Sequence, residues 1–371
     1  MSVVSDRLPT FPWDRLAPYK KTAAAHPDGI VDLSVGTPVD PVPELIQKAL
    51  VAAADSPGYP TVWGTPELRD AITGWVERRL DAREVTHRHV LPIVGSKELV
   101  AWLPTQLGLG PGDRVAYPRL AYPTYEVGAR LARADYEVYT TTSGADAPGP
   151  TDLDPSNLKL LWLNSPSNPT GQVLSKAELT RIVAWAREHG VLLFSDECYL
   201  ELGWEADPVS VLHPDVNGGS YDGIVAVHSL SKRSNLAGYR AAFLAGDPAV
   251  LAPLLEIRKH GGMMTPAPTQ AAVVAALGDD THVREQRERY AARRTALRAA
   301  LLSHGFRIEH SEASLYLWAT RDESCWATVA HLADLGILVA PGDFYGEAGE
   351  KFVRVALTAT DERVRAAVER L

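Results

Sequence analysis

Cysteine is scarce in this sequence. Cys198 and Cys325 are the only two in 371 residues, and nothing near them has metal-ligand spacing. That excludes a disulfide framework and suits a reducing compartment. Basic charge is outweighed: 37 Lys and Arg against 46 Asp and Glu leave a net charge of −9. Such a balance speaks against general nucleic-acid binding but leaves room for a local basic pocket. No apolar run is long enough to span a bilayer. The opening MSVVSDRLPTFPWDRLAPYKK lacks the charged-then-apolar pattern of a signal peptide, so a cytoplasmic protein is expected. No G-x-G-x-x-G stands at a strand-to-helix turn, which removes the dinucleotide-binding fingerprint. Repeats and low-complexity tracts are absent too. The segment richest in Gly, Ala and Pro, Ser143 to Pro150, reads as one exposed loop.

What is present is an alternation. Apolar runs at residues 90–94, 114–117, 136–140, 160–163, 191–194, 224–227 and 242–245 are interleaved with helical patterns at 97–107, 124–134 and 176–188. This predicts an α/β fold: a mostly parallel seven-stranded sheet with helices on both faces. Upstream, a short strand within 31–38 and helices at 43–54 and 66–80 are expected. From about residue 267 the pattern changes to a long charged helix, 282–302, and then to shorter strands and helices. That reads as a smaller α+β domain. The expected division is 31–266 for the large domain, with 1–30 and 267–371 forming the small one. The first thirty residues, rich in Pro and aromatics, read as an arm.

In such sheets, ligands bind beyond the carboxyl ends of the strands. The residues just after each run should therefore line one crevice: Gly95-Ser96-Lys97, 118–122, 164–171, 196–199 and 229–232. Each has a plain reading. Gly95-Ser96 is an ordinary helix cap, or a place where an oxyanion meets a helix N-terminus. Tyr122 is a core aromatic, or a surface on which a flat ligand stacks. Asn168-Pro169-Thr170-Gly171 is a turn, with an amide at a strand end. Asp196-Glu197 closes an apolar run, where carboxylates are costly unless a cation or ring N–H meets them. Lys232 follows a core strand through His228-Ser229-Leu230-Ser231, and Arg240 comes after it. Lys232 is either a solvated loop cation or a desolvated, nucleophilic amine able to form a Schiff base. One ligand would use the whole set: a flat ring with a basic nitrogen, a phenolic oxygen, an aldehyde and a phosphate. Asp196 would meet the ring nitrogen, Asn168 and Tyr199 the phenolic oxygen, and Tyr122 the ring face. Ser96, Ser229, Ser231 and Arg240 would hold the phosphate, and Lys232 would take the aldehyde.

That ordered set resembles the fold-type I pyridoxal-phosphate enzymes, in particular the class I aminotransferases. The resemblance extends to Ser34-Val35-Gly36, Tyr59, Gly64, Leu68, Arg69, Pro341-Gly342 and Arg354. It implies pyridoxal 5′-phosphate as cofactor, with Lys232, Asp196 and Tyr199 as catalytic residues, Lys232 shuttling the Cα proton. Gly95 and Lys97 would join the cofactor-binding residues. Arg354, with Gly36 and Asn168, would take the substrate α-carboxylate, a task suited to arginine's planar fork. Tyr59 would reach the cofactor phosphate of a second subunit, which implies a homodimer with shared sites acting on small amino acids and 2-oxo acids. The run 229–240, with the opening residues 8–14, is similar more narrowly to the bacterial N-succinyldiaminopimelate aminotransferases of lysine biosynthesis, which use glutamate as donor. A bulky acidic substrate would need further cations, for which Arg119, Arg233, Lys97 and Lys259 are candidates. Three alternatives stay open: an aminotransferase for aspartate, aromatic or alanine-type substrates; a pyridoxal-phosphate-dependent C–S lyase or decarboxylase; and a regulatory binding protein of the same fold.

Overall fold

The computed structural model describes residues 4–141 and 149–371. The loop expected at 143–150 therefore lies, up to residue 148, outside the described residues. Along the chain, β1 (Val31–Asp32) is followed by β2 (Val90–Ile93), β3 (Arg114–Pro118), β4 (Asp135–Tyr139), β5 (Leu158–Asn164), β6 (Leu192–Asp196), β7 (Ile224–Ser229) and β8 (Ala242–Gly246). Strands β2 to β8 form a seven-stranded sheet in the order β2-β8-β7-β6-β5-β3-β4. Neighbours from β4 to β7 pair in parallel, whereas β8 is antiparallel to both β7 and β2. All strands but β8 thus end at one edge. Because β8 runs the other way, Arg240, two residues before its start, returns to the edge where Lys232 follows β7.

The sheet is covered on both faces and its inner strands are correspondingly apolar, while the edge strand β4 is largely exposed. Every residue of β7 is buried. Side chains alternate between two cores, as the two-residue period of a strand requires. Leu161 and Leu163 face helices Pro66–Leu80 and Lys176–Glu188 through Trp75, Leu179 and Ile182. Leu160 and Trp162 face helices Ser96–Gln106 and Thr124–Ala132 through Leu99, Leu103 and Tyr125. Local chemistry marks the helix starts. Thr65 accepts a hydrogen bond from Leu68 N (3.2 Å), and Ser175 with Glu178 forms a capping box, each cap contributing about 1 kcal/mol.

The C-terminal strands are β9 (Arg307–Glu309), β10 (Tyr316–Thr320), β11 (Ile337–Leu338), β12 (Ala340–Pro341) and β13 (Phe352–Ala356). Four of them form an antiparallel sheet in the order β12-β13-β10-β9. The helix Thr281–Ser303 packs on it with Tyr290, Leu297 and Leu301, and the arm adds Leu16 and Ala23 to the same core. Two segments sit across the boundaries expected at 31 and 266. β1 pairs in parallel with β11, so Val31 and Leu33 join the smaller core. Helix Ala267–Leu277 places Ala272, Val273 and Ala276 in the core of the large sheet, against helices 44–52 and 66–80. No helix among the described residues is long and apolar enough to cross a membrane.

Candidate active site

The common strand edge opens into a cleft of about 1000 Å³. Its lining brings together Gly36, Ser96, Lys97, Tyr122, Asn168, Asp196, Tyr199, Ser229, Ser231, Lys232, Arg240 and Arg354 from widely separated points of the chain. Ser229 ends β7, and its hydroxyl accepts from Ser231 N (3.2 Å), starting the single turn Leu230–Arg233. That turn carries Lys232 into the cleft, where its Nζ donates to the Gly36 carbonyl. Burial pushes the Lys232 pKa down; the Tyr316 hydroxyl opposes the shift, and the Arg354 and Arg240 cations add to it. An amine held this way is readily neutral, and so nucleophilic and able to accept a proton.

Across the sheet edge, Asp196 ends β6. Its Oδ2 accepts from the Tyr125 hydroxyl (2.8 Å) and its Oδ1 from the Cys198 N–H (3.2 Å). No Lys or Arg pairs with it among the described residues. Burial raises its pKa. A protonated ring nitrogen here would supply the missing cation and reverse that shift. Tyr122 lies edge-on to Tyr125, with centroids 6.1 Å apart, and burial pushes its hydroxyl up to about 12.

Asn164, at the end of β5, is structural. Its Nδ2 donates to Asp196 O (2.9 Å) and its Oδ1 accepts from Asn168 N (2.8 Å), which fixes the following turn. Asn168 Oδ1 then accepts from Arg354 Nη1 (2.9 Å), while Arg354 Nη2 donates to Ser34 O (2.9 Å). Arg354 stands on β13, only 3% exposed, and its Nε has no partner. Its guanidinium lies over the Tyr316 ring at 3.9 Å. No carboxylate pairs with it among the described residues. A buried guanidinium with neutral partners only is poised for an anion.

A second anion cradle forms at the other end of the cleft. Gly95 caps the helix Ser96–Gln106 at φ +85°, and a Cβ there would collide with the Arg240 guanidinium. Glycine lets the arginine lie against the helix N-terminus. The Ser229 and Ser231 hydroxyls, 2.9 Å apart, and Ser96 complete the site. Unpaired N–H groups, a guanidinium and hydroxyls together suit a phosphate. Lys97 lies beside it; burial lowers its pKa, and Arg240 adds to the shift.

Four candidates lie elsewhere. Arg233 points away from the cleft: its Nε is bound by Glu201, and its Nη1 donates to Ser234 Oγ (3.2 Å) and Ala276 O (3.2 Å). Arg233 is therefore a buried structural cation, and the sequence expectation that it meets a distal carboxylate is corrected. Arg119 is exposed and lies outside the cleft lining, held by its N–H to Tyr139 O (2.7 Å). Lys259 pairs with Glu256 (2.6 Å) on an exposed helix turn. Of the four cations considered for a distal acid group, only Lys97 reaches the cleft. Tyr59 is 97% exposed and touches nothing in this site.

The structure adds residues that sequence reasoning missed. Tyr316 enters the cleft from β10, with its hydroxyl 3.0 Å from that of Tyr199. In the sequence it is one residue of an apolar run, and only the packing of the two sheets brings it to Lys232. The arm supplies Leu8, Phe11 and Trp13 to the rim, with Trp13 packed on Phe344 (5.3 Å) and Arg15 paired with Asp343 (3.0 Å). The density of Pro and aromatics in the arm was the available signal; its target was not.

A seven-stranded sheet of this order, with a lysine and two anion cradles at its carboxyl edge, defines a pyridoxal-phosphate-type transferase. Residues 28–371 match the family described as "Aminotransferase class I and II", and the chain belongs to that family, whose members depend on pyridoxal phosphate. It is 60% identical over 364 residues to the 4-dedimethylamino-4-oxo-anhydrotetracycline transaminase OxyQ of Streptomyces rimosus, covering 98% of this chain and 99% of that protein. It is 61% identical over 368 residues to the probable aminotransferase Rv1178 of Mycobacterium tuberculosis, covering 99% and 86%. Among solved structures, the probable N-succinyldiaminopimelate aminotransferase of Thermus thermophilus superposes with a TM-score of 0.86 at 28% identity, covering 97% of this chain and 100% of that one. The residues present could hold the cofactor. Asp196 lacks a cation, Lys232 is a desolvated amine, and the space a Gly95 side chain would fill belongs to Arg240.

Proposed function

We propose that this enzyme moves an amino group between L-glutamate and an oxo acid with a long acidic side chain, N-succinyl-2-amino-6-oxopimelate being the first acceptor to test. The observation that carries the reading is Arg354, a buried guanidinium without a carboxylate, sharing a cleft with the buried amine of Lys232. Arg354 and Asn168 hold the substrate α-carboxylate, with Gly36 giving it room. Asp196 meets the ring nitrogen, Tyr199 the phenolic oxygen and Tyr122 the ring face. Ser96, Ser229, Ser231, Arg240 and the helix N-terminus at Gly95 bind the phosphate. Pyridoxal phosphate, when bound, supplies the carbonyl that accepts the amino group and the ring that draws electrons from Cα. Lys232 Nζ would take the Cα proton and deliver it to the carbon of the cofactor's former carbonyl, a task its lowered pKa suits. Exposed Tyr59 serves the phosphate cradle of a second copy, which makes the working unit a homodimer.

Lys97 supports the acidic substrate. It lines the cleft beside the phosphate cradle, its Nζ 5.6 Å from the Phe11 ring, with Leu8 also on the lining. A cation beside apolar side chains fits a substrate with methylene groups ending in a carboxylate. The test is the rate of 2-oxoglutarate formation from glutamate with different acceptors. Lys97→Ala should raise KM for the dicarboxylic acceptor more than for a monocarboxylic one. Equal changes would remove the assignment of Lys97.

A second reading rests on the 60% identity to the tetracycline transaminase and on the size of the cleft. On that reading the acceptor is the 4-oxo group of an anhydrotetracycline, and the arm aromatics cover its rings. Turnover of the polycyclic ketone, with none of the aliphatic acceptor, would select it.

A further inference from the structure

The Tyr199 hydroxyl already has a partner inside the protein. The Tyr316 hydroxyl lies 3.0 Å from it, with the rings tilted at 69° and centroids 5.7 Å apart. Both phenols are buried. Tyr316 is held in place from three sides. Arg354 lies over its ring at 3.9 Å. Its strand, β10, is fixed in register with β13, Tyr316 opposite Ala356. Its hydroxyl fills the space that a side chain at Gly36 would need, and Gly36 is the residue whose carbonyl receives Lys232 Nζ. One side chain therefore touches the tyrosine and the glycine through its hydroxyl and the arginine through its ring.

A pair of phenols this close has one donor and one acceptor. The charged groups facing Tyr316 are Lys232 and Arg354; the other titratable groups around it are Tyr199, Cys198, Tyr122, Tyr290 and Tyr345. Arg354 is a cation throughout and Lys232 is one when protonated, and a cation draws electron density from the Tyr316 oxygen, which makes its O–H the better donor. Burial alone would raise the Tyr316 pKa; Arg354, Lys232 and the hydrogen bond with Tyr199 together bring it down, whereas burial pushes Tyr199 up. Tyr316 accordingly donates to Tyr199, which leaves the Tyr199 proton free to point at a ligand.

We propose that Tyr316 is a positioning residue that aims the Tyr199 O–H at the phenolic oxygen of the bound cofactor and thereby sets the acidity of the nitrogen at Lys232. This rests on the proposed function, in which Tyr199 meets that oxygen. A hydrogen bond to an oxyanion favours the form in which the negative charge is fully developed, here the form that has lost the nitrogen proton. Tyr316, by strengthening that bond, keeps the nitrogen acidic and the lysine responsive near neutral pH.

The test is a pH titration of the absorbance of pyridoxal phosphate bound to the wild type, Tyr316→Phe and Tyr199→Phe. Phenylalanine keeps the ring under Arg354 and removes only the hydroxyl. Tyr316→Phe should raise the midpoint by about half a pH unit, the effect of weakening one hydrogen bond, and Tyr199→Phe by more. In the same variant kcat for glutamate should fall while KM stays close to the wild type, because the carboxylate is held by Arg354. An unmoved midpoint in Tyr316→Phe with a raised one in Tyr199→Phe overturns the role of Tyr316 and leaves that of Tyr199 standing. Unmoved midpoints in both variants overturn both roles.

Discussion

Arg354 Nη1 donates to Asn168 Oδ1 at 2.9 Å, joining the smaller sheet to the turn after β5 through one neutral amide and a buried cation. The guanidinium keeps its charge unanswered by any described carboxylate. Such an arrangement is costly in the empty protein and useful only when an anion arrives.

Substitution of Arg354 should therefore act on substrate binding. Arg354→Ala should lower kcat/KM for glutamate by roughly a hundredfold, the effect of losing two charge-assisted hydrogen bonds of about 1.5 kcal/mol each. Steady-state kinetics will show it mostly in KM. An unchanged KM would mean that the α-carboxylate binds elsewhere.

Gly95 answers a different question. With φ at +85° and Arg240 in the space of a Cβ, Gly95→Ala displaces the arginine and strains the backbone. Cofactor affinity, followed by fluorescence quenching on titration with pyridoxal phosphate, should fall about thirtyfold, as the loss of one charge-assisted contact of about 2 kcal/mol predicts. Affinity equal to wild type would place the phosphate away from Arg240.

Arg233 is the opposite case. Its side chain and that of Glu201 are 6% and 8% exposed, so removing the arginine leaves the buried Glu201 with Arg79 (3.3 Å) as its one remaining cation among the described residues. Arg233→Ala should destabilise the fold by about 3 kcal/mol in urea unfolding, while the KM ratio of acceptor to glutamate stays at the wild-type value. A selective rise in acceptor KM would restore Arg233 to the substrate site.

Glu197, next to Asp196, is fully buried beside His228, and burial raises its pKa to about 7 from 4.5. The folded protein therefore binds a proton that the unfolded chain has released once pH passes 4.5. The contribution of Glu197 to stability is greatest below pH 4.5, declines as pH rises to about 7, and stays low above it, a total of about 3 kcal/mol. Glu197→Gln, which is always neutral, should gain stability relative to wild type over that window. Urea midpoints of the two proteins at pH 5 and about pH 8 check the sign. A difference that is the same at both pH values would mean that Glu197 is ionised throughout.

Much of this was legible in the sequence because the sheet is buried on both faces. Its strands read as plain apolar runs, and helices such as Pro66–Leu80 and Lys176–Glu188 carry clear caps, so their bounds match the pattern. Most cleft residues of the large sheet followed from one rule, that they stand just after strands; Gly36 and Arg354, the latter within β13, came with the family resemblance instead. Other residues were hidden. Tyr316 faces the cleft from within a strand of the other sheet, and the arm aromatics reach the rim through packing on Phe344. Arg233 misled for the converse reason: it adjoins Lys232 in sequence, yet one residue along a helical turn rotates it about 100° away, toward Glu201.

The most direct measurement is the absorbance of the cofactor-loaded enzyme mixed with L-glutamate alone, in wild type and Lys232→Ala. In wild type, the visible band of bound pyridoxal phosphate should give way to a near-ultraviolet band, with one equivalent of 2-oxoglutarate released per site. Lys232→Ala should bind the cofactor and fail to complete the change. Loss of the band at wild-type rate in the variant would contradict the role of Lys232, and absence of any change in wild type would contradict amino transfer from glutamate.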